Sequence, residues 1–111
     1  MRKADARPRV VILGGTTEAR ELAAALARRH GKALEIVTSQ AGRTARPRKV
    51  AGVMRRGALG GAAGLARFLA DGRVVAMIDA THPFALAMKR NAVAASEASG
   101  VTQRAHRRTP W

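Results

Sequence analysis

The sequence contains no cysteine, which excludes a disulfide framework, a thiolate metal site and a cysteine nucleophile. The three histidines, His30, His82 and His106, lie far apart and show no metal-ligand spacing, so no metal site is expected. No apolar run approaches the roughly 18 residues of a membrane-spanning helix. The basic segment 1–9 is followed by apolar residues only at 10–13, fewer than the roughly 7–15 that a secretory signal needs. The sequence therefore predicts a cytoplasmic protein with no membrane segment.

Acidic residues are scarce as well, since 7 Asp and Glu oppose 21 Lys and Arg and leave a formal net charge of +14. One long stretch without any acid contains the cations Arg43, Arg46, Arg48, Lys49, Arg55 and Arg56. Such a positive field attracts polyanions. The aromatic residues are only Phe68, Phe84 and Trp111, too few for a base-stacking platform. Nucleic-acid binding would therefore rest on charge alone, and a multiply charged small anion fits these cations better.

Strand and helix signals alternate along the 111 residues. Short β-rich runs predict strands at Val10–Leu13, Leu34–Thr38, Val50–Met54, Val74–Ile78 and Val101–His106. Helices are predicted from a Thr16 or Thr17 cap to Gly31, over Leu65–Ala70 before Gly72, and from Phe84 to Ser99 before Gly100. A loop is predicted at Ser39–Lys49 and a glycine-rich turn at Gly57–Gly64. This alternation predicts one Rossmann-like α/β domain over residues 1–111, with an open parallel sheet of about five strands and flanking helices.

The turn after the first strand has the composition of a phosphate site. Gly14 and Gly15 would let the backbone approach a phosphate, and free N–H groups at the start of the next helix would bind it. Thr16 and Thr17 add hydroxyls, and Glu18 would either bond a ribose hydroxyl or serve as a first-turn carboxylate. A tight turn without any ligand would need the same glycines, so both interpretations stay open.

The segment after the second strand bears on the choice of dinucleotide. In dinucleotide folds this position meets the adenosine ribose, and an arginine there accommodates a 2′-phosphate. Arg43, with Ser39 and Thr44 beside it, therefore favours NADP over NAD. The alternative is a solvated basic loop.

Asp79 and His82 flank the turn after the strand with the strongest signal. Asp79 would either fix this turn by hydrogen bonds to the backbone or take part in proton chemistry. His82 precedes Pro83 and is therefore held extended, in a position to touch a ligand.

Taken together, these segments resemble the precorrin-6A reductase family of cobalamin biosynthesis, including its cobalt-precorrin-6A counterparts. The matching stretches, in the family's order and spacing, are ILGGTTEARELA (12–23), SQAGRT (39–44), GALGGAAGLARFL (57–69), VVAMIDATHPFALAMKRNA (74–92) and RRTPW (107–111). The sequence departs from the family at residues 57–61, which read GALGG rather than GGFGG, and at Lys89, where a serine is common.

The resemblance implies an NADPH-dependent oxidoreductase that reduces a double bond of a polycarboxylate macrocycle, precorrin-6A or cobalt-precorrin-6A. It implies that the NADPH-binding residues are Gly14, Gly15, Thr16, Thr17, Glu18, Ser39, Arg43, Thr44, Gly60 and Gly61. It implies that the cleft on the substrate side is lined by Asp79, Thr81, His82, Pro83 and Phe84. No catalytic residue is assigned, because this chemistry needs little beyond orienting the hydride donor and supplying one proton.

Family members have two Rossmann-like halves, and this sequence matches the N-terminal one. The resemblance therefore implies a missing C-terminal domain, supplied in cis or in trans. A truncated gene, a split gene and a cloned fragment would all give such a sequence. The alternatives are a non-catalytic nucleotide- or tetrapyrrole-binding module and, on charge alone, a basic nucleic-acid-associated protein.

Overall fold

The chain alternates strands and helices in the computed structural model, which describes residues 7–14, 16–40, 52–56, 60–71, 73–81 and 85–105. The strands are β1 (Arg9–Leu13), β2 (Glu35–Gln40), β3 (Val53–Arg56), β4 (Val74–Asp79) and β5 (Thr102–Ala105). The helices are α1 (Thr17–His30), α2 (Gly61–Asp71) and α3 (Leu86–Ser99).

The five strands form one parallel sheet in the order β3-β2-β1-β4-β5. Strand β1 lies at the centre, where Leu13 is level with Ser39 of β2 and with Asp79 of β4. All strands run the same way, so their carboxyl ends share one edge of the sheet. The predicted open parallel α/β sheet of about five strands is confirmed.

Apolar side chains cover both faces of the sheet, as expected for parallel strands buried between helices. One core cluster, on the α2 and α3 side, contains Val11, Leu13, Val37, Leu65, Leu69, Val74, Met77, Ala92 and Ala95. The other, on the α1 side, contains Val10, Ile12, Ala19, Ala23, Ile36 and Ala80. Burying one valine, leucine or isoleucine fully contributes roughly 1.5–3 kcal/mol, so these clusters hold the strands that carry the site.

Two predicted boundaries are wrong where tertiary pairing overrides local composition. The predicted loop begins at Ser39, yet Ser39 and Gln40 belong to β2, are buried, and lie level with Arg55 and Arg56 of β3. Parallel pairing thus extends β2 into a polar sequence. The third strand, predicted at Val50–Met54, extends two residues further than predicted and spans Val53–Arg56 among the described residues.

Helices α2 and α3 begin at other residues than the sequence predicts. The predicted glycine-rich turn extends to Gly64, whereas α2 already begins at Gly61. Gly60 and Gly61 both have positive φ, so the turn into α2 lies at these two residues, the second of which is already the first residue of the helix. Helix α3 begins at Leu86, two residues after the predicted start, and ends before Gly100, whose φ of 78° is left-handed. Its predicted first residue, Phe84, lies outside the described residues.

Candidate functional site at the carboxyl edge of the sheet

The site lies where the chain connections diverge on either side of β1. Helix α1 follows β1 and packs on one face of the sheet, whereas α3 follows β4 and packs on the other. The adjacent carboxyl ends of β1 and β4 therefore form a topological switch point, the place where open α/β sheets bind ligands. Here the Ala80 N–H donates to the Leu13 carbonyl oxygen at 2.9 Å, and the Gly14 N–H donates to the Ser39 carbonyl oxygen at 3.0 Å. These bonds connect the turns after β1 and β4 to the sheet.

Gly14 is required by the packing of these turns against each other. Its φ is 130°, and a Cβ added to it would lie 2.8 Å from the Ala80 carbonyl oxygen and 3.2 Å from the Thr81 nitrogen. Only glycine fits between the two backbones without a shift. Its N–H group is already bonded to Ser39, so it is not available to a phosphate. The glycine thus has the structural explanation that the sequence left open.

Thr16 joins the same two turns through its side chain. It is the N-cap of α1, as predicted, because its Oγ1 accepts from the Ala19 N–H at 3.0 Å. The same hydroxyl donates to the Ala80 carbonyl oxygen at 2.8 Å. Its only hydrogen is therefore used inside the protein, and Thr16 cannot donate a hydrogen bond to a ligand without giving up this contact.

The neighbouring residues of α1 are more accessible. Thr17 is exposed, and its hydroxyl oxygen accepts from the guanidinium of Arg20 at 3.0 Å. Glu18 is half-buried and lies in the first turn, where its charge complements the helix dipole. Thr17 is thus the first residue of α1 and not its cap, whereas Glu18 has the first-turn position that the sequence predicts.

Asp79, the last residue of β4, fixes the turn that follows it. Its side chain is 2% exposed, and Oδ1 accepts from both the N–H and the hydroxyl of Thr81. The ammonium of Lys89, on α3, donates to Asp79 Oδ2 at 3.1 Å and to Thr81 Oγ1 at 3.3 Å. Burial raises the pKa of Asp79, but the hydrogen bonds from Thr81 and the charge and hydrogen bond of Lys89 outweigh it, so the pKa lies below its ordinary value.

Sequence reasoning did not assign Lys89 to the site and noted it only as a departure from the family. A signal existed, because a cation in the first turn of a helix after a strand-ending acid can fold back onto that acid. Thr38 was also missed. It is fully buried in β2, and its Oγ1 has no hydrogen-bond partner within the part of the chain that the structure describes. A buried threonine in an apolar strand has no distinguishing sequence signal.

The turn before α2 comes after β3 in the chain and therefore on the side of the sheet where the strands end. Gly60 and Gly61 are exposed, with φ of 92° and 69°. Among the described residues, no atom lies within 4 Å of a Cβ added to Gly61, so the backbone there borders open space. Further along α2, the ring of Phe68 has the guanidinium of Arg55, on β3, 5.4 Å from its centre, a cation–π contact.

Six predicted site residues, Gly15, Arg43, Thr44, His82, Pro83 and Phe84, lie outside the described residues. Among the described residues, the structure brings together Gly14, Thr16, Ser39, Asp79 and Thr81 around the switch point, while Gly60 and Gly61 lie at the start of α2. Within the described ranges, no group of three or more His, Asp or Glu could hold a metal ion. In the same part of the chain, no helix has both the length and the apolar character to cross a membrane.

The parallel sheet with a glycine turn at its switch point defines a Rossmann-like α/β fold. Residues 9–111 match the model of the precorrin-6x reductase CbiJ/CobK family, so the chain belongs to that family. A solved structure described as CobK precorrin-6A reductase is similar with a TM-score of 0.85 and 47% identity, covering 94% of this chain and 40% of that one.

Curated relatives agree with this assignment. The chain is 48% identical over 105 residues to a precorrin-6A reductase from a Sinorhizobium species, covering 95% of the chain and 40% of the relative. It is 48% identical over 103 residues to a Rhodobacter capsulatus precorrin-6A reductase, covering 93% and 40%. A Mycobacterium tuberculosis precorrin-6A reductase is 40% identical over 103 residues. The chain spans about 40% of the length of the relatives it matches.

Proposed function

We propose that this chain is the NADPH-binding part of a reductase that transfers a hydride to a double bond of precorrin-6A or cobalt-precorrin-6A. The observation that carries the proposal is the close packing of the turn after β1 against the turn after β4 at the switch point. The chain is also 47% identical to a solved CobK precorrin-6A reductase. A rigid edge of this kind suits an enzyme whose catalytic power comes from holding donor and acceptor in position.

The described residues fit a dinucleotide. Open space next to the left-handed backbone at Gly61 is room that a side chain would fill and that a ligand can use instead. Thr17 presents an exposed hydroxyl at the start of α1, where the helix dipole favours negative charge. Arg43 supports NADPH over NADH by its place after β2, since an arginine there can pair with a 2′-phosphate. Bound NADPH would supply the hydride.

The protein's own residues would bind and orient, and Asp79 would not be the proton donor. A carboxyl group whose pKa lies below its ordinary value is ionised at neutral pH, and both its oxygens already accept hydrogen bonds. We propose instead that Asp79 acts on the substrate side through Thr81, whose backbone it holds. Thr81, His82, Pro83 and Phe84 would then line the cleft.

The net charge supports the substrate class. With 21 basic and 7 acidic residues, the chain attracts multiply charged anions, and the proposed macrocycle carries many carboxylates. The segment of the relatives that this chain does not match would supply the opposite wall of the cleft and exclude water from it.

A reconstitution experiment tests this function. The isolated chain should bind NADPH in calorimetry but show negligible NADPH oxidation when precorrin-6A is added. Adding the unmatched segment of a relative, fused or as a separate chain, should produce precorrin-dependent oxidation. Binding without any reconstituted turnover would favour a non-catalytic module, and failure to bind NADPH would refute the proposal. Turnover by the isolated chain at about 1 s⁻¹ or faster would show that no second domain is needed.

A further inference from the structure

We propose that Lys89 is a positioning residue, which fixes the turn after β4 against the turn after β1 so that both ligand-binding turns act as one unit. The inference rests on the proposed function, because it concerns the same edge of the sheet. It starts from the contacts of one ammonium group with Asp79 and Thr81.

Hydrogen-bond chemistry fixes the direction of each bond in this cluster. Lysine has only donors, so Thr81 Oγ1 must accept from Lys89 Nζ. The single hydrogen of the Thr81 hydroxyl then points to Asp79 Oδ1, and the second carboxylate oxygen accepts directly from Lys89. Asp79 also accepts from the Thr81 backbone N–H at 3.0 Å. The cluster is a closed ring of charge-assisted hydrogen bonds that holds the backbone of Thr81 in place.

The backbone that this cluster holds, at Ala80 and Thr81, is the one that packs against the turn after β1. The Ala80 carbonyl and the Thr81 nitrogen are the atoms that a Cβ added to Gly14 would meet first, and the Ala80 carbonyl oxygen also accepts from Thr16. Contacts thus run without interruption from Lys89 through Asp79 and Thr81 to the N-cap of α1. A shift at Thr81 would displace the turn where NADPH is proposed to bind.

Lys89 supplies the charge that this arrangement needs. The Asp79 side chain is 2% exposed, whereas that of Lys89 is 32% exposed, so the carboxylate is the partner that burial penalises. Without the ammonium, the hydrogen bonds of Thr81 alone would have to stabilise a buried negative charge. We expect the carboxyl group to take up a proton or to move towards water, and either change would release the Thr81 turn.

The test uses the 111-residue chain, with two independent readouts. Hydrogen exchange of the Thr81 amide, measured by NMR, reports the position of the turn without any ligand. Calorimetric NADPH binding reports the coupling to the first turn. K89M keeps the length of the side chain and removes its charge, and we expect it to raise both the exchange rate and the NADPH Kd by about tenfold.

The matched control is R90M, which removes the same charge from an exposed side chain one position along α3. It should leave both readouts within about twofold of the parent. Equal effects of K89M and R90M would overturn the proposal, because net charge alone would then explain them.

Substitutions of Asp79 separate positioning from simple packing. In a D79N background no buried charge needs a partner, so adding K89M should change either readout by less than about twofold. A tenfold effect of K89M that persists in this background would overturn the proposal, and this comparison holds even if K89M alone does not fold. If the parent does not bind NADPH, the proposed function fails, while exchange at Thr81 still decides the role of Lys89.

Discussion

The substitution Gly14→Ala tests how tightly the two turns pack at the switch point. A Cβ on Gly14 would lie 2.8 Å from the carbonyl oxygen of Ala80 and 3.0 Å from its carbonyl carbon. Both are backbone atoms, so no change of side-chain rotamer relieves the clash. The positive φ costs roughly 1–3 kcal/mol for a residue with a side chain, and displacing packed atoms costs about 1–3 kcal/mol more. We therefore expect Gly14→Ala to lower the free energy of unfolding by about 2–6 kcal/mol, a large share of the roughly 5–15 kcal/mol of a typical domain.

Gly100→Ala is the matched control for this prediction. Gly100 also has a positive φ of 78°, but no atom of the described residues lies within 4 Å of an added Cβ. Gly100→Ala should lower the free energy of unfolding only by the cost of a left-handed backbone for alanine, roughly 1–2 kcal/mol. Urea denaturation followed by far-UV circular dichroism gives both values at neutral pH. The reasoning is refuted if the two variants unfold at the same urea concentration, because the contact between the turns would then contribute nothing.

Three further predictions concern individual side chains of the site. The parent chain should bind NADPH more tightly than NADH in calorimetry, and Arg43→Ala should remove most of that preference, worth about 1.5–3 kcal/mol for a charge-assisted hydrogen bond; equal affinities in the parent would contradict it. Thr16→Val should lose about 2 kcal/mol of unfolding free energy, from the helix cap and the bond to Ala80, whereas Thr16→Ser should lose less than half of that, as measured by urea denaturation. The pKa of Asp79 is lowered in the folded chain, so its contribution to stability is present above the ordinary carboxyl pKa and is lost as the pH falls below that value. The difference in unfolding free energy between the parent and D79N should therefore shrink on acidification. A difference that does not depend on pH would disprove this.

The fold could be predicted from the sequence because its strands are marked by composition. Residues 10–13 and 74–78 are continuous apolar runs, and β1 and β4 fall where the sequence places them. The predictions failed at boundaries that depend on partners far along the chain. Ser39 and Gln40 are polar and look like loop, but pairing with β3 keeps them in the sheet and buries them. Local propensity contains no information about such pairing.

The sequence predicts which turns form the candidate site but not which hydrogen bonds hold these turns together. Spacing after each strand indicates that Gly14, Thr16, Asp79 and Thr81 lie at one edge of the sheet, and the structure confirms that they do. It cannot indicate that the Gly14 N–H and the Thr16 hydroxyl are already bonded to other parts of the protein. Nor does it show that Lys89 completes the cluster around Asp79, because that contact depends on how α3 packs on the sheet.

The hydrogen bonds at the sheet edge distinguish residues that support the turns from residues that are exposed to a ligand. Gly14 and Thr16 have their donors engaged within the protein, so in the proposed function they would contribute the shape of the sheet edge rather than hydrogen bonds to a ligand. Thr17 and Gly61 are exposed, and we propose that they contact the dinucleotide. The two sets should therefore respond differently to substitution. Changes in the first set should lower stability and affinity together, because the edge itself moves. Changes in the second set should weaken NADPH binding while the unfolding free energy stays within about 0.5 kcal/mol for Thr17→Ala, a difference that denaturation and calorimetry on the same samples can resolve.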